Sequence, residues 1–169
     1  WLNGAYSGAV FGVITIFVAL WGIPFFQKLH HLSLSQATLV CDIVFIGVSV
    51  GAPLMGWLDA RLNSRKALLS VCAFLAAGLL SITIMDASLS IVHVAILMFF
   101  LGVVSSAYVL NFVIASEIAS YRMQSTSVGI TNMISVGAAP IVQPLIGLVL
   151  YLLSDHIAQT GFESYTVAH

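Results

Sequence analysis

Few side chains in this sequence can do chemistry, and most of those sit inside long apolar runs. Asp42 is the one charged residue within any such run. An ionisable group there marks a solute or proton path by default, because charge is costly in hydrocarbon. Its place, about a turn and a half from the end of its run, equally suits an acid hydrated at an interface. Ser105, Tyr108 and Asn111 recur at three-residue spacing and share a helix face at about 100° per residue. Asn132 and Gln143 fall within about 20° of each other by the same periodicity. A buried amide without a partner is costly, so both faces are expected to point into a helix bundle or a wet cavity. Bonds that hold helices together and groups that line a solute path are both open readings.

Catalysis and metal binding find no support. An intramembrane enzyme needs a deep carboxylate pair or a Ser/His pair, and the chain has one such acid and no deep histidine. His30 and His31 are expected in a loop, His93 opens an apolar run, and none has ligand spacing with another. Cys41 and Cys72 occupy different runs without a CxxC pattern, and read as small buried apolar residues. We expect no enzyme activity, no cofactor and no metal. A net charge of −1 leaves no basic surface for nucleic acid.

The elements that position these groups are five apolar runs, Ala5–Phe26, Ala37–Leu58, Ala67–Met85, Ile91–Ala115 and Ser127–Leu153. Each is long enough, at 1.5 Å per residue, to cross a hydrocarbon layer about 30 Å thick, and none has the polar face of a soluble helix. Charged residues make up 7% and apolar residues 60% of the chain, with mean hydropathy +1.10. The expected fold is all-α: one polytopic transmembrane helix bundle over residues 1–169, with the lipid bilayer as its solvent. The first run is too long, and lacks the basic flank, to be a signal peptide. The chain starts at Trp1 and both its ends look cut.

The gaps between runs hold nearly all the charge. Arg61, Arg65, Lys66 and Arg122 fall in the second and fourth gaps, and Lys28 alone in the first. The positive-inside rule puts the second and fourth gaps in the cytoplasm. The start of the chain is then cytoplasmic and the tail 154–169 outside. Ser35, Ser64 and Ser90 stand where helix N-caps are expected, and Asn63 where a left-handed residue would end the second helix. Gly4, Gly8 and Gly12 form one small-residue ridge and Gly47 with Gly51 another, a pattern that lets membrane helices approach closely. Pro24, Pro53, Pro140 and Pro144 all lie inside runs. Pro140 and Pro144 should weaken the fifth helix, either as static kinks or as points where it bends. The third helix, almost pure aliphatic, is expected to face lipid.

The second gap carries the most specific motif: Gly56, Trp57, Leu58, Asp59, Ala60, Arg61, Leu62, Asn63, Ser64, Arg65, Lys66. It resembles the loop signature of major facilitator superfamily transporters, which joins their second and third spans and recurs in degenerate form between the eighth and ninth. Gly56, Leu58, Arg61 and Arg65 match. The sequence departs in having Ala60 where the acid directly before Arg61 is expected, with Asp59 one place early, and Asn63 for the turn glycine. Trp21, Gly22, Ile23 and Pro24 look like that family's seventh span. Glu117, Arg122, Gly129 and Asn132 resemble the start of its eleventh, and Gln143 to Gly147 its outer half.

The resemblance spans nearly the whole chain and implies spans seven to eleven of a twelve-span fold. It implies a secondary active transporter of small solutes working by alternating access, in a bacterial inner membrane. The first, second, fourth and fifth helices would line the cavity. The partners implied are a small-molecule substrate, a coupling proton, and an N-terminal six-span half. Gly56, Asp59, Arg61, Arg65, Glu117 and Arg122 would form the cytoplasmic gate. A protein of the same fold that binds or senses without transporting is the alternative.

Overall fold

The computed structural model describes residues 2–62 and 64–160; Asn63 and the last part of the tail lie outside them. Five helices dominate: α1 (Leu2–Leu29), α2 (Leu34–Arg61), α3 (Arg65–Met85), α4 (Ile91–Glu117) and α5 (Gln124–Thr160). No strand occurs among the described residues. All five are long and apolar enough to cross a membrane; even α3, at 21 residues, is about 31 Å long. The helices generally overrun their apolar runs, because the polar flanks that end hydropathy also supply the caps.

Those caps differ in part from the expected ones. Ser33, not Ser35, begins α2: its hydroxyl accepts from Gln36 N–H while the Gln36 side chain accepts from Ser33 N–H. Such a reciprocal box satisfies two orphan donors, which Ser35, already inside the helix, cannot do. Ser64 accepts from Ala67 N–H at the start of α3. Ser90 stands at the start of α4, but its hydroxyl is hydrogen-bonded with His93 Nδ1 at 2.7 Å rather than with the helix backbone. Between α3 and α4, Asp86 Oδ1 accepts from both the backbone N–H (3.0 Å) and the hydroxyl (2.5 Å) of Ser88, which closes the turn.

Irregular winding falls outside the Pro140–Pro144 stretch. The fifth helix runs unbroken through Pro140 and Pro144; it forgoes the bonds those residues cannot donate without leaving the helical path. The interruptions lie in α1 and α4. Val13–Trp21 of α1 is wound as a π-helix, just ahead of Pro24, whose ring crowds the carbonyl four residues back. Ser106–Val109 of α4 is wound as a 3₁₀-helix.

Two helix pairs make the bundle. α2 crosses α4 backbone to backbone: a Cβ on Gly47 would strike the Phe99 carbonyl, one on Gly102 the Val44 carbonyl, and one on Gly51 would lie 2.6 Å from the Val103 carbonyl. α1 crosses α5 through Gly4 and Gly8, which face Ile134 and Ser135, while Gly12 meets only its own helix. α3 rests on the outside of α4, with Leu69, Cys72 and Ala76 inward and Phe74 and Met85 outward. Polar ties fix it further. Tyr6 Oη donates to the Leu69 carbonyl (2.7 Å), and His30 Nε2 to the Thr83 carbonyl (3.2 Å). His30, expected in water, is instead half-buried against Phe25 and Phe26. The rest of the surface is covered by leucine, isoleucine and phenylalanine, far more than a water-soluble surface carries in one patch.

Two predictions follow from this packing. Gly51→Leu should destabilise the bundle by at least about 1–3 kcal/mol, the usual cost of overpacking. Gly78→Ala, at a glycine with open space around it, should be neutral or stabilising by up to about 1 kcal/mol; unfolding in detergent measures both. The Ser88 donors hold the Asp86 carboxyl below its ordinary range. Folded Asp86 therefore binds its proton less readily than unfolded Asp86, so this turn is fully stabilising at neutral pH and weakens as pH falls through the acid range. In Ser88→Ala, Asp86 should titrate closer to about 4, read by carboxyl NMR.

Candidate functional site

The polar groups of α4 are set by its change of winding. Tightening at Ser106–Val109 brings Ser105, Tyr108 and Asn111 nearer to one line than 100° spacing would, since residues three apart eclipse in a 3₁₀ turn. Ser105 and Asn111 are fully buried, whereas Tyr108 is half-exposed. Ser106, also buried, returns its hydroxyl to the Val103 carbonyl (2.6 Å). Asn111 donates to the Tyr108 carbonyl (3.0 Å), and its own carbonyl accepts from Asn3 of α1 (2.8 Å). The Ser105 hydroxyl and Asn111 Oδ1 are buried without a partner. The Tyr108 ring lies 4.8 Å from that of Phe11 and edge-on to Phe112, so its aromatic face is used between helices.

The two amides of α5 take different directions. Gln143 is half-buried and its Nε2 donates to the Thr15 carbonyl of α1 (3.1 Å). Asn132 is exposed. The buried polar side of α5 is instead Thr131 and Ser135, with Ser135 Oγ donating to Ser7 Oγ (2.7 Å). Only small groups fit where Gly4 and Gly8 bring the backbones together, and Asn132 lies about 100° away from Thr131. Asp42 is likewise exposed. Asp42, Ser49, Pro53 and Gly56 lie within about 60° of arc on α2, opposite the buried Val44, Gly47 and Gly51. Gly129, Asn132, Val136 and Pro140 form a comparable outward stripe on α5. Neighbouring outward positions are large and apolar, such as Leu39 and Trp57 on α2, and Ile141 and Leu145 on α5.

At one end of the bundle the loop motif closes an ionic node. Arg65 Nε and Nη2 grip both oxygens of Asp59 (2.6 and 2.7 Å), and Nη1 reaches Glu117 Oε2 (2.5 Å). One planar guanidinium thus ties the end of α2, the start of α3 and the end of α4, using the fork geometry peculiar to arginine. Arg61 is not part of it: its guanidinium lies 4.9 Å over the Trp57 ring and is exposed. Arg122 is exposed and, among the described residues, makes no ion pair. Gly56 has open space where a Cβ would stand.

Two recesses adjoin these groups. A groove of about 410 Å³, lined by Gly8, Gly12, Val13, Ile16, Leu80 and Ala138 among others, is almost wholly apolar. A smaller one of about 190 Å³, at the end that holds the ionic node, carries Asn3, Thr126, Ser127 and Thr131. Among the described residues no cluster of histidine, cysteine and carboxylate has the makings of a metal site. Ser7, Asn3, Tyr6 and Thr15 are contacts missed in the sequence; Ser7 alone was signalled, by its place beside the glycine ridge. No family model, curated protein or solved structure matches the chain.

The node makes an asymmetric prediction. The Asp59 side chain is 12% exposed and that of Glu117 56%. Arg65→Ala should cost about 1–3 kcal/mol, because Asp59 is left without its donors. Glu117→Ala should cost less than about 1 kcal/mol, since water replaces the lost bond. Arg65→Lys should fall nearer alanine than arginine. Detergent unfolding of the three variants gives the order.

Proposed function

We propose that this chain is part of a secondary active transporter that moves small solutes by alternating access, as its resemblance to the major facilitator superfamily implies. The observation that carries this reading is the Arg65 node. It lies in the loop whose sequence resembles that family's signature, and it joins three helix ends on the side that the basic residues assign to the cytoplasm. Opening that end of a cavity requires α2, α3 and α4 either to stay clamped as one body or to release. The clamp can hold α2 to α3 through the largely buried Asp59 while releasing α4 at small cost through the exposed Glu117. Arg61 and Arg122, exposed at the same end, are left to meet acids on the opposing half of the transporter.

The solute path, on this reading, runs past the outward stripes that hold Asp42 and Asn132, with Tyr108 at its margin. Gln143 offers it only a carbonyl oxygen, its amide being given to Thr15. Ser105 and Asn111 are buried within the bundle and act on the path through the winding of α4. Asp42 is the group that would take up a coupling proton. No arginine or lysine lies deep in these helices, so a solute carried here needs no dedicated anion site on this side.

The test is uptake by the full-length protein in liposomes against a panel of sugars, organic acids, peptides and drugs. With a transported solute in hand, Arg65→Ala should lower turnover by about tenfold or more while binding changes by less than about twofold, the pattern of a conformational step. Transport unaltered in Arg65→Ala, or external labelling of the Arg61 turn in intact cells, would overturn the assignment.

A further inference from the structure

The hydrogen bond from Gln143 to Thr15 joins the two least regular stretches of the α1–α5 pair. On α1 it ends at a carbonyl within Val13–Trp21, nine residues of π-helix. Most π-windings in proteins are single-turn bulges, and they collect at functional positions. The wide winding is supported on both sides of the same residue: Thr15 Oγ1 donates back to the Phe11 carbonyl (3.1 Å), and Thr15 O accepts from outside the helix. On α5 the donor stands between Pro140 and Pro144. Neither proline can donate, so the carbonyls of Val136 and Pro140 lack their ordinary partners. The inner end of the pair is fixed by contrast: Gly4 and Gly8 are packed on Ile134 and Ser135, and Ser7 is bonded to Ser135.

Room for movement is present on one side. Gly12, Val13, Ile16 and Phe17 border the open apolar groove, so on that side α1 has space to change its winding, while Ile14 and Val18 on the packed side must slide within the core. A helix fixed at one end, loosely wound in the middle and free on one face has a natural hinge. From these observations we infer that the Gln143 amide is a latch that holds Val13–Trp21 in its wide winding. Its release lets α1 rewind toward i→i+4 bonding while α5 bends between its prolines. The outer halves of α1 and α5 then move together while their inner halves stay packed. The device is a property of these two helices and holds whatever solute, if any, the protein carries.

Hydrogen exchange by mass spectrometry on the full-length protein in lipid nanodiscs tests it. In Gln143→Met, which keeps the length and removes the donor, amides of Val13–Trp21, which must open in each passage between the two windings, should exchange about fivefold faster, the equilibrium equivalent of one lost hydrogen bond. Gln143→Asn, which withdraws the amide by one methylene, should show the same direction and secures the result if the methionine variant fails to fold. Ser135→Ala, which cuts the other polar tie between α1 and α5, should leave exchange over Val13–Trp21 within about twofold of the native rate. Unchanged or slower exchange in both Gln143 variants would overturn the latch. So would equal acceleration in Ser135→Ala, which would make Gln143 one packing contact among others.

Discussion

The crossing of α2 over α4 is the contact on which most other positions depend. Gly47, Gly51 and Gly102 let carbonyl oxygens of one helix lie where side chains would otherwise stand on the other. In hydrocarbon there is no hydrophobic drive to bring helices together, so close packing and weak Cα–H···O contacts must supply the attraction. That arrangement fixes α4 as the centre of one side of the bundle. α3 then rests on its outer face through Leu69, Cys72 and Ala76, and the tightened turn at Ser106–Val109 sits where Ser106 Oγ meets the space above Gly51.

The second pair is built on different terms. α1 and α5 share a close approach only near the start of α1, where Gly4, Gly8 and the Ser7–Ser135 bond lie. Farther out, the partner of the α1 backbone is a flexible side chain, Gln143, rather than a facing glycine. One pair is therefore locked along much of its length and the other is locked at one end. The Arg65 node adds a further restraint at the end of the locked pair, binding α2 and α4 to α3. Close backbone contacts and ion pairs are thus concentrated on α2, α3 and α4, while α1 and α5 beyond Gly8 are joined by the Gln143 side chain.

The sequence made some of this legible and hid the rest for definable reasons. The five helices and the Gly47–Gly51 ridge were plain, because span length and small-residue spacing are imposed directly by the bilayer and by helical geometry. Pro140 and Pro144 marked α5 as weakened, by kinks or by bending points, and α5 stays helical through them; the changes of winding in α1 and α4 are what the sequence did not show. A missing N–H is visible in a sequence, but whether a helix absorbs it or changes winding depends on what packs against it. The inward face of each helix was also hard to read. A helix apolar on all sides has no moment to mark its core side, so the phase of Asn132 could not be told from that of Thr131. The tighter winding between Ser105, Tyr108 and Asn111 was not legible either; at three residues per turn it draws the three toward one line, and Tyr108 is still half-exposed. Arg65 stood out in the loop motif only alongside Arg61, and only the fold distinguishes the arginine between two acids from the one lying on Trp57.

The exposed polar groups then divide the perimeter of the bundle into two kinds of surface. A charged or amide side chain facing lipid is costly, whereas an exposed Leu145 or Phe74 there costs nothing. Asp42 with Ser49 on α2, and Asn132 on α5, mark stripes that hydrocarbon solvates poorly. The adjoining rows of leucine, isoleucine and phenylalanine are solvated well by lipid. Glycines and prolines recur along the two polar stripes, where they leave room for water or for another backbone. The uniform hydropathy of the five runs conceals this division, because a stripe of Gly, Pro and Ser scores as neither polar nor greasy. The side of each helix that avoids lipid is marked less by its charges than by the large side chains it lacks.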